Sequence, residues 1–178
     1  DPLHPLGEYA NAAVARERLF EYASRRQHTP VVLLRLFYAV ELRYGVIADL
    51  ARQVQAGTPI PLANGWFNCI WQGDANAMII RALDQAASPP AAWNLCRPER
   101  FSVREVAGKL GAVLGRAPEF TGAESQTALL GNAAPLCRIL GEPPTAMDTI
   151  IRWVAHWVKS GGRSLERPTH FEVRDGQY

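Results

Sequence analysis

Tyr9, near the start of the sequence, is a side chain that can exchange a proton. It stands at the start of a predicted helix, after Pro5 and Gly7 and before Ala10-Asn11-Ala12-Ala13. Residues four apart in a helix share a face, so position 13 is the one placed beside the phenol. Because that position is Ala13, the helix gives Tyr9 no built-in positive neighbour. Tyr9 also fits a simpler interpretation, an aromatic residue that packs at a helix start.

A second group of polar and aromatic side chains lies in the middle of the chain. Asn68 and Asp74 are candidate ligand contacts, but each also fits a structural role, in a turn and at a helix N-cap respectively. Trp66, Trp71 and Trp93 are typical of core or cleft walls.

The tail contains the one set of residues that resembles metal ligands, His170, Glu172 and Asp175. A single histidine with two acids in a polar segment is more typical of a solvated surface than of a metal centre. We therefore predict no metal site.

The apolar spacing predicts helices that alternate with short strands, which is an α/β pattern. We expect helices at 7–27, 44–55, 75–86, 103–114, 125–130, 134–140 and between Pro143 and Gly161. We expect strands or extended segments at 31–37 (buried and parallel), 59–62, 67–72, 91–96 and 119–121. Ser102 and Glu105 form a capping-box pattern, which makes the helix at 103 the most secure.

The glycines do not form a phosphate-binding loop. No Gly-x-Gly-x-x-Gly occurs, and Gly108, Gly111 and Gly115 fall inside the capped helix, which favours close helix packing. The strands are also too few for a complete doubly wound sheet.

The segment Pro5-Leu6-Gly7-Glu8-Tyr9 and the helix after it resemble the active-site region of the extended short-chain dehydrogenases/reductases, the NAD-dependent epimerases and dehydratases. That family carries Pro-x-Gly-x-Tyr-x-x-Ser-Lys, followed by a helix with a Glu. Here the Ser and Lys positions read Ala12 and Ala13.

The resemblance continues, in order, through most of the chain. Segment 34–40 is similar to the family's Arg-x-x-Asn-x-Tyr-Gly-Pro strand, with Tyr38 in place of the Asn and Val40 in place of the Tyr. Further matching segments are 55–60 (leading into Gly-x-Pro), 68–76 (Phe-Val-x-Val-x-Asp-x-Ala), 93–105 (Tyr-Asn-Ile and a Ser-capped helix) and 141–153 (Leu-Gly-x-x-Pro and the closing helix).

The resemblance implies the C-terminal part of a Rossmann-like doubly wound sheet together with a small, helix-rich substrate-binding lobe. Residues 1–42 would end the nucleotide-binding domain and carry the active-site helix, and residues 43–178 would be mainly the substrate lobe and closing helices. We expect the preceding half, which would bind most of the NAD or NADP, to be absent from this sequence.

The resemblance also implies roles for individual residues. Tyr9 would be the catalytic acid/base, and Tyr38 and Arg35 would contact the cofactor. The substrate, a sugar nucleotide or another small hydroxyl or carbonyl compound, would meet the family's substrate segment, represented here by Asn68, Trp71 and Asp74. The family's active-site helix packs between subunits, so we expect a homodimer through the Tyr9 helix.

Composition and charge bear on the partners and the cellular compartment that we expect. The chain has 178 residues, 48% of them hydrophobic, and a net charge of +2, which gives no reason to expect nucleic-acid or membrane partners. Three widely spaced cysteines, with no signal peptide and no membrane-spanning apolar run, predict buried thiols in a reduced, cytoplasmic protein.

The sequence is compatible with three functions. The first is the substrate-binding half of an NAD(P)-dependent epimerase, dehydratase or reductase. The second is a non-catalytic dinucleotide- or metabolite-binding protein of the same fold, which Ala13 favours. The third is a structural subunit that pairs with another chain through its active-site helix.

Overall fold

The computed structural model describes residues 3–167 and 169–173, and within them the chain forms six α-helices and eight short strands. The helices are α1 (Gly7–Gln27), α2 (Val46–Ala56), α3 (Gln72–Arg81), α4 (Val103–Leu114), α5 (Ala134–Leu140) and α6 (Met147–Lys159). The strands are β1 (Val32–Leu36), β2 (Ala39–Val40), β3 (Ile60–Pro61), β4 (Trp66–Phe67), β5 (Ile70–Trp71), β6 (Ala91–Leu95), β7 (Phe101–Ser102) and β8 (Phe120–Thr121).

The two longest strands, β1 and β6, form a parallel pair. Their register runs from Val32 opposite Ala91 to Leu36 opposite Leu95, which confirms that the predicted strand is parallel. Its predicted burial is wrong: β1 is half-buried and Leu36 is exposed, because few elements cover it among the described residues. The shorter strands pair as β2 with β5 and β3 with β8, both parallel, and β4 with β7, antiparallel. The observed architecture is therefore the α/β class that the sequence indicated.

The larger core lies between helices α2, α4 and α6. These helices meet because each carries an apolar face at helical spacing, as α6 illustrates. The predicted buried face of α6 is confirmed by the burial of Met147, Ile150, Ile151, Val154 and Val158. The predicted cap of α4 is also confirmed, since Ser102 Oγ accepts a hydrogen bond from the Glu105 amide at 3.4 Å.

A smaller core lies beside the parallel pair. Helices α3 and α5 contribute to it together with Ile70 and Leu95. Its buried members on the two helices are Ala75, Met78, Leu136 and Leu140. Strand β6 and the helices that pack against it, α3 and α5, all follow α2 in the chain. Residues 43–178 therefore contribute to the sheet as well as to the lobe.

Helix α1 is attached to the rest by few contacts. Ser24 is the one buried residue of this helix, and its hydroxyl donates to the Thr29 carbonyl at 2.7 Å. Ser88 Oγ donates to the Ser24 carbonyl at 2.9 Å. The apolar side of the helix, formed by Leu19, Phe20 and Tyr22, is more than half exposed.

One predicted helix is wrong. Residues 125–130 form bends and irregular structure. Leu129 and Leu130 are exposed, so a helix there would bury no apolar face, and a helix this short needs tertiary packing to persist.

Two local predictions around residue 70 are also corrected. The expected strand at 67–72 is broken into β4 and β5, because Asn68 turns inward between them. Asp74 is not the N-cap of α3, which begins at Gln72 after an extended Trp71. The Asp74 carboxylate is used in a longer-range contact instead.

No described helix is both long and apolar enough to cross a membrane.

Replacing Ile150, which is fully buried in the larger core, by Ala is expected to lower the free energy of unfolding by about 2–5 kcal/mol. The loss arises from lost burial and the cavity left among α2, α4 and α6. Urea denaturation followed by circular dichroism measures it. The matched control is Ile80→Ala on the exposed side of α3, with an expected change within about 0.5 kcal/mol. Equal losses in both variants would contradict this packing.

Candidate functional site

The candidate site is built at the carboxyl ends of β1 and β6. In open α/β sheets, ligands bind outside the carboxyl ends of parallel strands. The Phe37 amide donates to the Leu95 carbonyl at 3.1 Å, which extends the pairing by one residue. The Tyr38 carbonyl then accepts from the Ile70 amide at 3.1 Å. Tyr38 is thereby held between β1 and the segment that carries Asn68 and Trp71.

Asn68 is a buried clamp at this edge. Its Nδ2 donates to the Gly131 carbonyl at 2.8 Å, and its Oδ1 accepts from the Gly131 amide at 3.2 Å. Nδ2 also lies 3.2 Å from Cys96 Sγ and 3.4 Å from the Arg97 carbonyl. Both ends of the side-chain amide are therefore engaged within the protein.

Gly131 is required by a close approach. A Cβ atom at this position would lie 2.6 Å from Cε2 of Phe37, which is too close for any side chain without movement of the ring. Phe37 follows β1 directly, so Gly131 packs against the end of the parallel pair. The loop around residue 131 is thus fixed to the candidate site from two sides.

Trp71 and Trp153 form an aromatic pair that we call the Trp71–Trp153 wall. The ring of Trp71 meets that of Trp153 on α6 edge to face, with centroids 5.3 Å apart and an interplanar angle of 62°. Trp71 is half-buried and Trp153 is 45% exposed, so this pair presents aromatic surface to solvent. Of the three predicted substrate residues, Trp71 is the one with substantial surface left for a ligand.

Asp74 anchors the start of the closing helix. Its Oδ2 accepts from the Thr145 amide and its Oδ1 from the Thr145 hydroxyl, both at 2.9 Å. The buried Arg97 reinforces the same loop by donating to the carbonyls of Pro143 and Thr145 at 2.8 and 2.7 Å. Asp74 therefore positions the chain ahead of α6.

Arg35 is paired with Glu17 of α1. Its Nε and one terminal nitrogen donate to the two carboxylate oxygens at 2.9 and 2.5 Å, a bidentate arrangement. The hydrogen bond from Arg35 lowers the pKa of Glu17, and the same bond raises the pKa of Arg35. This ion pair joins the predicted active-site helix to the strand with the predicted cofactor residue.

The same contacts locate Tyr9. Near the end of α1, Ser24 lies beside Thr29, which precedes β1. Nearer the start of α1, Glu17 lies beside Arg35 at the carboxyl end of β1. The start of α1 is therefore on the side of the carboxyl end of β1. Tyr9 is eight residues before Glu17, about 12 Å further along the helix axis. It therefore projects past the strand end and is 75% exposed. The structure thus places Tyr9 on an exposed helix surface, whereas Asn68 and Asp74 are buried.

The three cysteines are free and buried, as predicted. Burial raises the pKa of Cys69 and of Cys96 to about 12, and it also raises the pKa of Cys137. These thiols are therefore poor nucleophiles and act as packing residues.

Within the described part of the chain, no three His, Cys, Asp or Glu side chains are grouped so as to hold a metal ion. His170 and Glu172 border a groove beside α2, and Asp175 lies outside the described residues.

Sequence reasoning missed three residues that build the site: Gly131, Arg97 and Thr145. Their contacts join segments 46 to 71 residues apart along the chain. A glycine between Leu130 and Asn132 was the one local signal, since glycine marks places where another group approaches the backbone closely.

Solved structures with the same fold are epimerases, dehydratases and related enzymes. RMD from Pseudomonas aeruginosa, solved with NADPH, superposes with a TM-score of 0.73 at 18% identity, over 90% of this chain and 59% of that one. UDP-glucose 4-epimerase from Thermus thermophilus, solved with NAD, gives 0.70 at 20% identity over 87% and 55%. dTDP-glucose 4,6-dehydratase from Bacillus anthracis, also with NAD, gives 0.73 at 15% identity over 89% and 54%.

These proteins are extended short-chain dehydrogenases/reductases, and at these identities the likeness shows the fold. The chain thus has a Rossmann-like α/β fold and spans somewhat more than half the length of these structures. No family model matches the sequence, and no curated protein matches it.

Replacing Glu17 by Gln is expected to lower stability at pH 7 by up to about 1 kcal/mol, since the pair is partly exposed. The pKa of Glu17 is lowered in the folded state, so its contribution is present above the ordinary value of 4.5 and is lost as the pH falls through the folded-state value. The difference between wild type and variant should therefore vanish in acid. Urea denaturation curves of wild type and variant between pH 3 and 7 test this, and amide exchange of α1 residues over the same range tests it locally.

The control for that variant is Glu21→Gln, which breaks the more exposed pair with Arg25 on the same helix. Its expected effect is about 0.3–0.5 kcal/mol. A Glu17→Gln effect that does not diminish toward the acid end of this pH range would contradict the role given to the carboxylate.

Replacing Asn68 by Ala is expected to cost about 1–3 kcal/mol, because it leaves the buried amide and carbonyl of Gly131 without their partners. Thermal or urea unfolding measures the loss. Asn94→Ala is the matched control, since Asn94 Nδ2 reaches the neighbouring Asn132 carbonyl at 3.2 Å in an exposed position. If both variants lose the same small amount, the clamp does not hold the loop.

Proposed function

We propose that this chain is the substrate-binding part of an NAD(P)-dependent epimerase-, dehydratase- or reductase-like protein that acts on a sugar nucleotide or another small hydroxyl or carbonyl compound. The observation that carries the proposal is the arrangement at the carboxyl ends of β1 and β6. Tyr38 follows β1 at that edge, the Asn68 clamp holds the adjoining loop, and the Trp71–Trp153 pair lies on the next segment. Sheets of this class bind ligands outside the carboxyl ends of their parallel strands, which supports a ligand site there. The fold neighbours act on UDP-glucose and dTDP-glucose, which suggests the ligand class.

The dinucleotide would be held mainly by a second α/β half that packs on α1 and on the free edge of β1. Two features support this. Parallel strands are normally covered on both faces and continued in a sheet, whereas β1 pairs here with β6 alone among the described strands. The fold neighbours with bound NAD or NADPH are also about one and a half times as long as this chain.

Within such an assembly, Arg35 and Tyr38 would lie next to the incoming half and contact the cofactor. Glu17 would hold Arg35 toward the helix, so Arg35 would act through its remaining surface. Asn68 and Asp74 would contribute to substrate binding by positioning: Asn68 fixes the loop at Gly131, and Asp74 fixes the start of α6 at Thr145. Trp71 would contact the substrate directly.

Tyr9 would face the reacting centre as the family's acid/base does, but Ala13 supplies no positive charge beside it. We infer that turnover would need a cation from the cofactor or from the second half. Ala13 also favours a second candidate, a binding or regulatory protein of the same fold that holds a dinucleotide or metabolite without converting it.

A homodimer through α1 is part of the proposal. The helix exposes three large apolar or aromatic side chains, Leu19, Phe20 and Tyr22, which supports the packing of another surface on it.

The test is a titration of the chain with UDP-glucose and with dTDP-glucose, followed through the indole N–H signals of its five tryptophans. We expect the signals of Trp71 and Trp153 to shift in a saturable way, because they line the site. Trp157 is the internal control, since its Nε1 donates to the Arg163 carbonyl away from this wall. Single Trp→Phe variants assign the signals.

NAD and NADP serve as comparison ligands, and neither is expected to saturate the isolated chain. Sugar nucleotides that shift no indole signal, or shift Trp157 alone, would overturn the proposal. Saturable NAD binding by this chain alone would instead favour the dinucleotide-binding alternative.

A further inference from the structure

The C-terminal tail is anchored in the larger core by one aromatic side chain. Phe171 is 3% exposed and packs among the residues of α2, α4 and α6, although the segment around it has no regular secondary structure. The residues on either side of it, His170 and Glu172, are exposed or half-buried. A single side chain therefore carries most of the apolar contact of this segment.

Hydrogen bonds attach the same segment to two places. The Thr169 amide and hydroxyl donate to Asp49 Oδ2 on α2, at 3.1 and 2.7 Å. Asn64 Nδ2 donates to the Phe171 carbonyl at 2.7 Å, and this bond is buried. Asn64 is itself 1% exposed, so the bond joins the tail to the loop that precedes β4.

That loop leads into the candidate site. It is held by the Leu62 amide, which donates to the Thr121 carbonyl at 3.0 Å, and by the Gly65 carbonyl, which accepts from the Val103 amide at 2.9 Å. Four residues after Asn64, the chain reaches Asn68, whose amide clamps Gly131. The tail thus touches the segment that carries the clamp.

The packing beneath the tail is incomplete. A groove of about 230 Å³ lies between α2 and the tail, lined on the helix side by Asp49, Arg52 and Gln53. Two buried acceptors next to the tail, Gln53 Oε1 and Asn64 Oδ1, have no hydrogen-bond partner among the described residues. Unpaired buried acceptors and few apolar contacts make local opening easy compared with global unfolding.

We propose that residues 163–167 and 169–173 form a C-terminal clip, which opens without global unfolding and which, when closed, holds the 62–65 loop and thereby the segment bearing Asn68. In the closed clip Phe171 fills its socket and Asn64 bonds to the Phe171 carbonyl. In the open clip both contacts are lost together, and the loop is released at Asn64 while β1 and β6 stay paired. The clip is a conformational device that acts on the candidate site through Asn64, and it does not depend on the identity of the ligand.

The test uses the full chain and two readouts. Native-state trypsin cleavage after Arg163, detected as a peptide beginning at Ser164, reports opening of the clip. Amide exchange at Gly65 and Trp66 reports release of the loop, with Leu34 and Trp93 in the parallel pair as internal references. Phe171→Ala is expected to speed both by about tenfold or more, because it removes buried apolar surface from the closed state alone.

Two further variants complete the design. Thr169→Val keeps the side-chain shape but removes the hydroxyl bond to Asp49, so it should speed cleavage by a smaller factor in a protein that stays folded. Leu165→Ala is the matched control, an exposed apolar residue of the same tail, and should change neither readout.

Phe171→Ala that accelerates exchange equally in Leu34 and Trp93 would overturn the proposal, because Phe171 would then belong to the global unfolding unit. Faster cleavage with unchanged exchange at Gly65 and Trp66 would also overturn it, because the tail would then open without releasing the loop. If Phe171→Ala fails to fold, Thr169→Val decides by the same comparison.

Discussion

The parallel pair of β1 and β6 is the constraint on which the rest of the structure depends. A parallel pair leaves its carboxyl ends together at one edge, and it is stable in proteins when other elements cover its faces. Helices α3 and α5 supply part of that cover. Helix α1 lies beside β1 with few contacts, and β1 pairs with β6 alone among the described strands.

Two of the predicted ligand residues, Asn68 and Asp74, also stabilise the fold, and their hydrogen bonds fix the shape of the candidate site. The amide of Asn68 is fully occupied by the backbone of Gly131 and its neighbours, and the carboxylate of Asp74 is occupied by Thr145. Side chains tied in this way cannot swing toward a ligand without breaking buried hydrogen bonds. In the proposed site their contribution to binding would therefore be geometric, and direct contact would fall to the exposed aromatic surface of Trp71 and Trp153.

The sequence predicts most elements but only part of the site, and the difference lies in the range of the contacts. Strand β1, the cap of α4 and the buried face of α6 carry local signals, so they are recognised within a window of about one helix length. The Asn68–Gly131 and Asn64–Phe171 bonds span 63 and 107 residues, and no local pattern encodes such pairs. The failed helix at 125–130 has the same origin: its local pattern was adequate, but the fold offers it no apolar surface.

The weak attachment of α1 bears on the residues at positions 12 and 13. Position 12 is exposed and position 13 is half-buried on a helix that contributes little to either core, so side chains there can change at almost no cost to the fold. Alanine is also the best helix former, and it maintains α1 where tertiary contacts are few. The segments that carry Asn68 and Asp74, by contrast, depend on buried or partly buried polar contacts, so changes there cost stability. The residues beside Tyr9 and those around Asn68 are therefore under separate structural constraints.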